Sequence, residues 1–243
     1  PAWLQIAPIA IPLIAGVLGI LFEVIVPRRV RRPVQIGLTL LAMAAAIVAI
    51  AMLWNDVNVT GGEVVWGGNV ILDGPTLVAQ AVIAFTGLLA VLVMADRTEF
   101  GEDHFTPMAA AEPGSVYESV ARRRGLTQTE MYPLTLFALG GMMLFPAAGN
   151  LLTLFVALEV FSLPLYLLTG LARRARLLSQ EASLKYFVLG AFASAFLLFG
   201  VAMLYGYAGS VRYADISYAV QIGAGDDLFL IVGVVLVLIG LLF

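Results

Sequence analysis

Apolar residues run in long blocks with short polar punctuation between them, and a block of about 20 is what a helix needs to cross ~30 Å of hydrocarbon. Seven such windows follow one another: 3–26, 34–54, 76–95, 132–148, 151–171, 182–207 and 228–243. The punctuation suits helices. Pro27 and Pro33 bracket the first turn, Asp73-Gly74-Pro75 opens the third window, and residues 146–150 part the fourth from the fifth. Alternation with a period of two is absent, which excludes a membrane barrel. The spacing of Gly190 and Ser194, and the pair Gly140-Gly141, would let helix backbones approach closely, as in any bundle. The pattern therefore predicts an all-α integral membrane protein, a polytopic bundle of about seven transmembrane helices in one domain, with a long loop over 96–130.

Composition agrees, since 61% of the 243 residues are hydrophobic and 12% charged, against roughly 25% charged in an average soluble chain. The first window is no cleaved signal, because its apolar run is too long and positive charge follows rather than precedes it. The last window holds only about sixteen apolar residues, short of a crossing. With an odd number of spans and no polar flank at Phe243, the chain reads as the first half of a longer protein, or its ordered part.

Charge then sets orientation. Eleven of the thirteen basic residues fall in loops one, three and five: Arg28, Arg29, Arg31 and Arg32; Arg97 and Arg122 to Arg124; Arg173, Arg174 and Arg176. Cytoplasmic loops retain positive charge, so these loops are expected in the cytoplasm and the amino terminus outside. A net charge of -3 argues against nucleic acid as a partner. Without cysteine, disulfides, thiolate zinc sites and iron–sulfur ligation are excluded, and the single histidine, His104, forms no imidazole cluster. No residue is assigned to catalysis, a cofactor or a metal. His104, in an acidic loop, reads as solvated, and Arg122 to Arg124 as topology-fixing residues that meet lipid headgroups or neighbouring subunits.

A charge at mid-depth costs on the order of 3 kcal/mol, so each ionisable residue inside a span calls for a reason. Glu23, one turn before Pro27, reads as a snorkelling carboxylate paired with loop arginines. Glu159 lies roughly 14 Å from the outer end of its span among apolar neighbours. Ser162 shares its face, and Pro164 lacks the amide that would bond the Val160 carbonyl, leaving an acceptor nearby. That polar spot would hold a proton or a water, or else a protonated acid tying helices together. Lys185 lies roughly 7 Å inside its span. Glu181, four residues before it, would make an ordinary helical ion pair, or complement the helix dipole behind an N-cap at Ser179.

Glu159 and Lys185 sit on consecutive antiparallel helices, at heights estimated to differ by about 10 Å. Long side chains and one water would close that gap, and moving such partners apart would change proton occupancy. The sequence has no phosphate-binding loop, dinucleotide fingerprint or redox ligand to drive the movement. The drive would come from a partner chain or an ion gradient.

The stretches LLTLFVALEVFSLPLYLLTGLARR (151–174) and SQEASLKYFVLGAFASAFLLFGVAMLYGYAG (179–209) resemble the antiporter-like membrane subunits of the bacterial proton-translocating NADH-quinone oxidoreductase, respiratory complex I. The resemblance is strong over 126–243 and weaker before. It implies a half of a subunit of about fourteen helices, in the bacterial plasma membrane, with Glu159 and Lys185 in its proton pathway; Ser162, Pro164 and Glu181 are supporting candidates from their spacing alone. It places the glutamate's main partner, a helix-seven lysine, beyond Phe243. It implies other membrane-arm subunits and lipid as partners, with flavin mononucleotide, iron–sulfur clusters and quinone held in other subunits. Asn150 departs from the acidic residue expected before helix five. Two other readings are a subunit of a multi-chain cation/proton antiporter and a non-transporting scaffold.

Overall fold

The computed structural model describes residues 2–96, 115–123, 129–172 and 176–243. Nine helices and one small hairpin are described there: α1 (Ala2–Ile25), α2 (Arg28–Thr60), β1 (Glu63–Val65), β2 (Val70–Leu72), α3 (Gly74–Ala95), α4 (Val116–Arg123), α5 (Met131–Leu144), α6 (Leu151–Leu171), α7 (Arg176–Ala208), α8 (Tyr213–Ile222) and α9 (Asp227–Leu242). Among the described residues, α1, α2, α3, α6 and α7 are long and apolar enough to cross a membrane, and α5 and α9 are shorter apolar helices. The expected loop 96–130 lies largely outside the described residues, apart from α4.

Helix α5 spans only about 21 Å at ~1.5 Å per residue, and the bundle is arranged around it. It packs against α1, α2, α3 and α6. Most of its residues are buried, Tyr132, Leu136 and Met143 completely. An enclosed helix has less need of full bilayer length, because its ends meet protein rather than lipid. A second layer runs from α6 through α7 to α9, with Leu197, Val201 and Leu204 in its core.

Local chemistry explains the helix starts. Asp73 accepts from the amide of Thr76 at 2.9 Å and Pro75 follows it, so α3 begins with a capped first turn. Asn150 caps α6, accepting from the amide of Thr153 at 2.8 Å. The sequence placed a turn at Pro27–Pro33, yet α2 starts at Arg28 and carries Pro33 inside it. Near a helix end a proline forfeits a single ladder bond at a depth where water replaces it, which is why no loop results. Likewise α7 begins at Arg176, so Ser179 lies within it rather than capping it.

Besides α4, the hairpin and α8 escaped the sequence pattern. Both are short, and the segments at and beside them clasp the same end of the bundle. The amide of Ile71 donates to Ala147 O at 2.7 Å, that of Gly149 to Asn69 O at 2.8 Å, and that of Leu151 to Val211 O at 3.1 Å. Asn150 also donates through Nδ2 to Asn69 Oδ1 at 2.8 Å. An acidic residue there could cap α6 but could not donate, so the amide serves two elements at once.

Small residues set how closely the layers meet. A Cβ at Gly141 would lie 2.6 Å from the amide nitrogen of Phe161, so α5 and α6 touch through backbone, whereas a Cβ at Gly37 would meet nothing within 4 Å. Gly141→Ala is expected to cost about 1–3 kcal/mol by overpacking, and Gly37→Ala to be neutral or slightly stabilising through helix propensity. Thermal unfolding of the two variants in one detergent measures the opposite signs; equal midpoints would contradict this account of the α5–α6 contact.

Candidate functional site

Helix α6 runs unbroken from its Asn150 cap through Pro164, and α7 packs beside it. Residues at intervals of three, four and seven share a helix face, which places Glu159, Ser162, Tyr166 and Gly170 in one stripe along α6. The matching stripe on α7 is Ser194, Gly190 and Ser183. The two zip together: Glu159 with Ser194, Tyr166 with Gly190, and Gly170 with Ser183.

Glu159 is half-buried, and its Oε1 accepts a hydrogen bond from the Ser194 hydroxyl across the helix pair. One turn further along α6, Ser162 is 6% exposed, with its hydroxyl close to the phenol of Tyr166. That phenol is near enough to feel the Glu159 carboxyl. Tyr166 is held edge-on by Tyr186, ring centroids 4.5 Å apart, and by Phe187 at 6.0 Å. Its hydroxyl occupies the space that any side chain at Gly190 would fill. Its own carbonyl accepts from the Ser183 hydroxyl at 2.6 Å. Beside it, between the last turns of α6 and the first of α7, opens a cleft of about 380 Å³ lined by Gly170, Gln180, Ser183 and Phe187 among others.

Lys185 has a different setting. Its ammonium pairs with Glu181 on the same helix, and the two side chains are 69% and 57% exposed. Ser194 lies nine residues beyond Lys185, hence about 13 Å along the axis and half a turn round it. Lys185 thus occupies the face of α7 opposite the one that meets Glu159, with the exposed Phe192 and Phe196. The sequence expectation that Glu159 and Lys185 would nearly touch is corrected. Each is satisfied nearer at hand, by Ser194 and by Glu181, and the ordinary helical ion pair considered for Lys185 is the one that forms.

The other expectations are placed as follows. Glu23 pairs with Arg31 at 3.1 Å and accepts from Gln35 at 2.9 Å, a loop-end network; the Arg29 side chain lies outside the described residues. Ser162 and Pro164 are buried in α6. His104, Arg97, Arg124, Arg173 and Arg174 lie outside the described residues. Among the described residues, no three acidic or histidine side chains converge on a metal site. Three residues escaped the sequence reading: Ser194 and Gly190, seen only as a packing motif, and Tyr166, whose seven-residue spacing from Glu159 was the signal that could have found it.

Residues 148–243 match the family described as NADH:quinone oxidoreductase/Mrp antiporter, TM. NADH-quinone oxidoreductase subunit N of Beutenbergia cavernae is 58% identical over 248 residues, covering 99% of this chain and 47% of that protein. A chain of respiratory complex I from Thermus thermophilus superposes with TM-score 0.68 at 27% identity, over 96% of this chain and 43% of that one. A chain of the Mrp complex from Dietzia sp. shares the fold, with TM-score 0.66 at 23% identity over 99% of this chain and 40% of the other. The chain spans about half the length of the curated relatives it matches. Residues 148–243 thus carry the membrane domain of the NADH:quinone oxidoreductase/Mrp antiporter family, and the chain aligns along nearly its whole length with part of subunit N.

Proposed function

We propose that the protein carries protons across the bacterial plasma membrane as a membrane-arm subunit of an NADH-quinone oxidoreductase, with Glu159 and Lys185 as its proton-handling residues. The observation that carries this reading is the Glu159 carboxyl, set far inside a span with a hydroxyl, Ser194, bonded across the helix pair. Its likeness to subunit N supports the assignment to that complex. Adding or removing a charge at such depth is worth on the order of 3 kcal/mol, close to the ~2.3 kcal/mol of one charge crossing 100 mV. Small shifts of the surrounding hydroxyls are therefore enough to load or empty the site. Lys185, paired with Glu181 on the opposite face of α7, is a second ionisable station rather than a contact of the first.

In this reading the chain performs no redox chemistry. Flavin mononucleotide, iron–sulfur clusters and quinone belong to other subunits, and quinone reduction there supplies the drive. Its neighbours are the other antiporter-like and small membrane-arm subunits. Loops one, three and five face the cytoplasm and the amino terminus faces outward, as the arginine census requires. The fold shared with the Mrp complex chain favours one second reading, a subunit of a multi-chain cation/proton antiporter.

Glu159→Gln in the full complex is expected to lower proton translocation per NADH oxidised about ten-fold, as for loss of one positioned proton-transfer group, and Lys185→Ala to lower it less, with assembly intact. Acidification of inverted membrane vesicles, normalised to NADH oxidation, reports both. Normal pumping in both assembled variants would sink the reading, and proton exchange without NADH oxidation would favour the antiporter. Orientation has its own check, since the chain lacks native cysteine. Ser217→Cys on α8 should react with an impermeant maleimide added to intact cells, and Ser119→Cys on α4 only after permeabilisation; the reverse result overturns the topology.

A further inference from the structure

The hydroxyl groups between α6 and α7 form a line that the carboxyl chemistry alone does not call for. Tyr166 lines the cleft at the loop-five end, and Ser162, four residues before it on the same face of α6, brings its hydroxyl close to the Tyr166 phenol. Glu159 follows one turn on, with Ser194 beyond its carboxyl. Long side chains on a helix lean toward its amino terminus, which for Tyr166 is the direction of Ser162 and Glu159. The remaining step, from Ser162 to Glu159, is an i, i−3 separation of about 5–6 Å between Cβ atoms, short enough for one water to bridge.

We infer that Tyr166 is the gate residue of a proton route from the cleft at the loop-five end to Glu159, passing through the Tyr166 and Ser162 hydroxyls and bypassing Lys185. The inference rests on the proposed role of Glu159. Each hydroxyl is both donor and acceptor. A proton arriving at the Tyr166 oxygen from the cleft releases the proton that oxygen already holds to Ser162. Ser162 in turn passes its own, directly or through a bridging water, to the Glu159 carboxylate. One proton enters, one carboxylate is neutralised, and both hydroxyls are restored when they rotate back.

Two features beyond the spacing of the hydroxyls support a route. The first is Gly190, whose missing side chain is the space in which the Tyr166 hydroxyl sits, so the phenol is housed at the helix contact and not turned out to lipid. The second is the pair of rings on Tyr186 and Phe187, which hold Tyr166 edge-on at the cleft wall. Lys185 has no place on this line. It faces away from α6, about 13 Å below Ser194 along α7.

The test uses the whole complex in inverted membrane vesicles, measuring vesicle acidification per NADH oxidised. Tyr166→Phe keeps the ring and its packing and removes only the oxygen. It is expected to cut acidification at least about five-fold, and to raise the solvent deuterium isotope effect on coupled turnover because proton entry becomes limiting. Gly190→Ala, which displaces the hydroxyl while keeping tyrosine, should act in the same direction, and Ser162→Ala serves if either variant fails to assemble. Tyr205→Phe, on an exposed phenol further along α7, is the control and should pump normally. Normal acidification and an unchanged isotope effect in Tyr166→Phe, with Glu159→Gln defective, overturn the route but leave the role of Glu159 standing. Normal pumping in Glu159→Gln overturns both.

Discussion

A carboxyl group cannot sit in hydrocarbon without hydrogen-bond partners, and in this protein that constraint is met by the closeness of two helices. Glu159 reaches Ser194 because α6 and α7 are kept close by small residues along their contact, Gly170 against Ser183 and Gly190 against Tyr166. Larger residues at those positions would separate the helices and leave the carboxyl facing lipid. The packing that lowers the cost of the buried acid is thus the same packing that lines the acid with hydroxyls. Stability and chemistry share one contact surface.

The rest of the fold keeps that surface in register. Helix α6 is fixed on its other flank by the backbone contact at Gly141 of α5. Its N-terminal end is fixed by Asn150, which caps the helix and ties it to the hairpin. The bond from Leu151 to Val211 then joins the start of α6 to the segment after α7. With this end of the α6–α7 pair attached to neighbouring elements, sliding of one helix along the other is resisted. A slip of one residue, about 1.5 Å, would already lengthen a hydrogen bond past its useful range.

Much of this was legible in the sequence, and the omissions have physical reasons. Spans are encoded by long apolar runs, so the helices, the acid at Glu159 and the lysine at Lys185 could be read directly. Loop-scale structure is encoded by a few residues each, and the hairpin and α8 carry no run long enough to register. Pairing failed for a different reason. Height along a helix follows from counting residues, and the estimate of about 10 Å between Glu159 and Lys185 was close to the separation of about 13 Å along α7. Facing direction depends on which side of α7 meets α6, and counting residues leaves that side open. Once Ser194 is known to meet Glu159, the half-turn between positions 185 and 194 puts the lysine on the far side.

That separation changes what kind of coupling the two charges can have. The ~13 Å is the axial part of the separation, and facing opposite ways lengthens it, so two unit charges there interact by less than about 1 kcal/mol at an effective dielectric constant near 20. While Lys185 is paired with Glu181, however, the two charges act at Glu159 as a dipole, and most of that field cancels. Breaking the pair would expose the full lysine charge to Glu159 without any contact between them. In the proposed function Glu159 is therefore open to influence from the opposite face of α7 by the Lys185–Glu181 pair. In the proposed route the hydroxyls on its own face carry the proton, so the two tasks need not fall to the same residues.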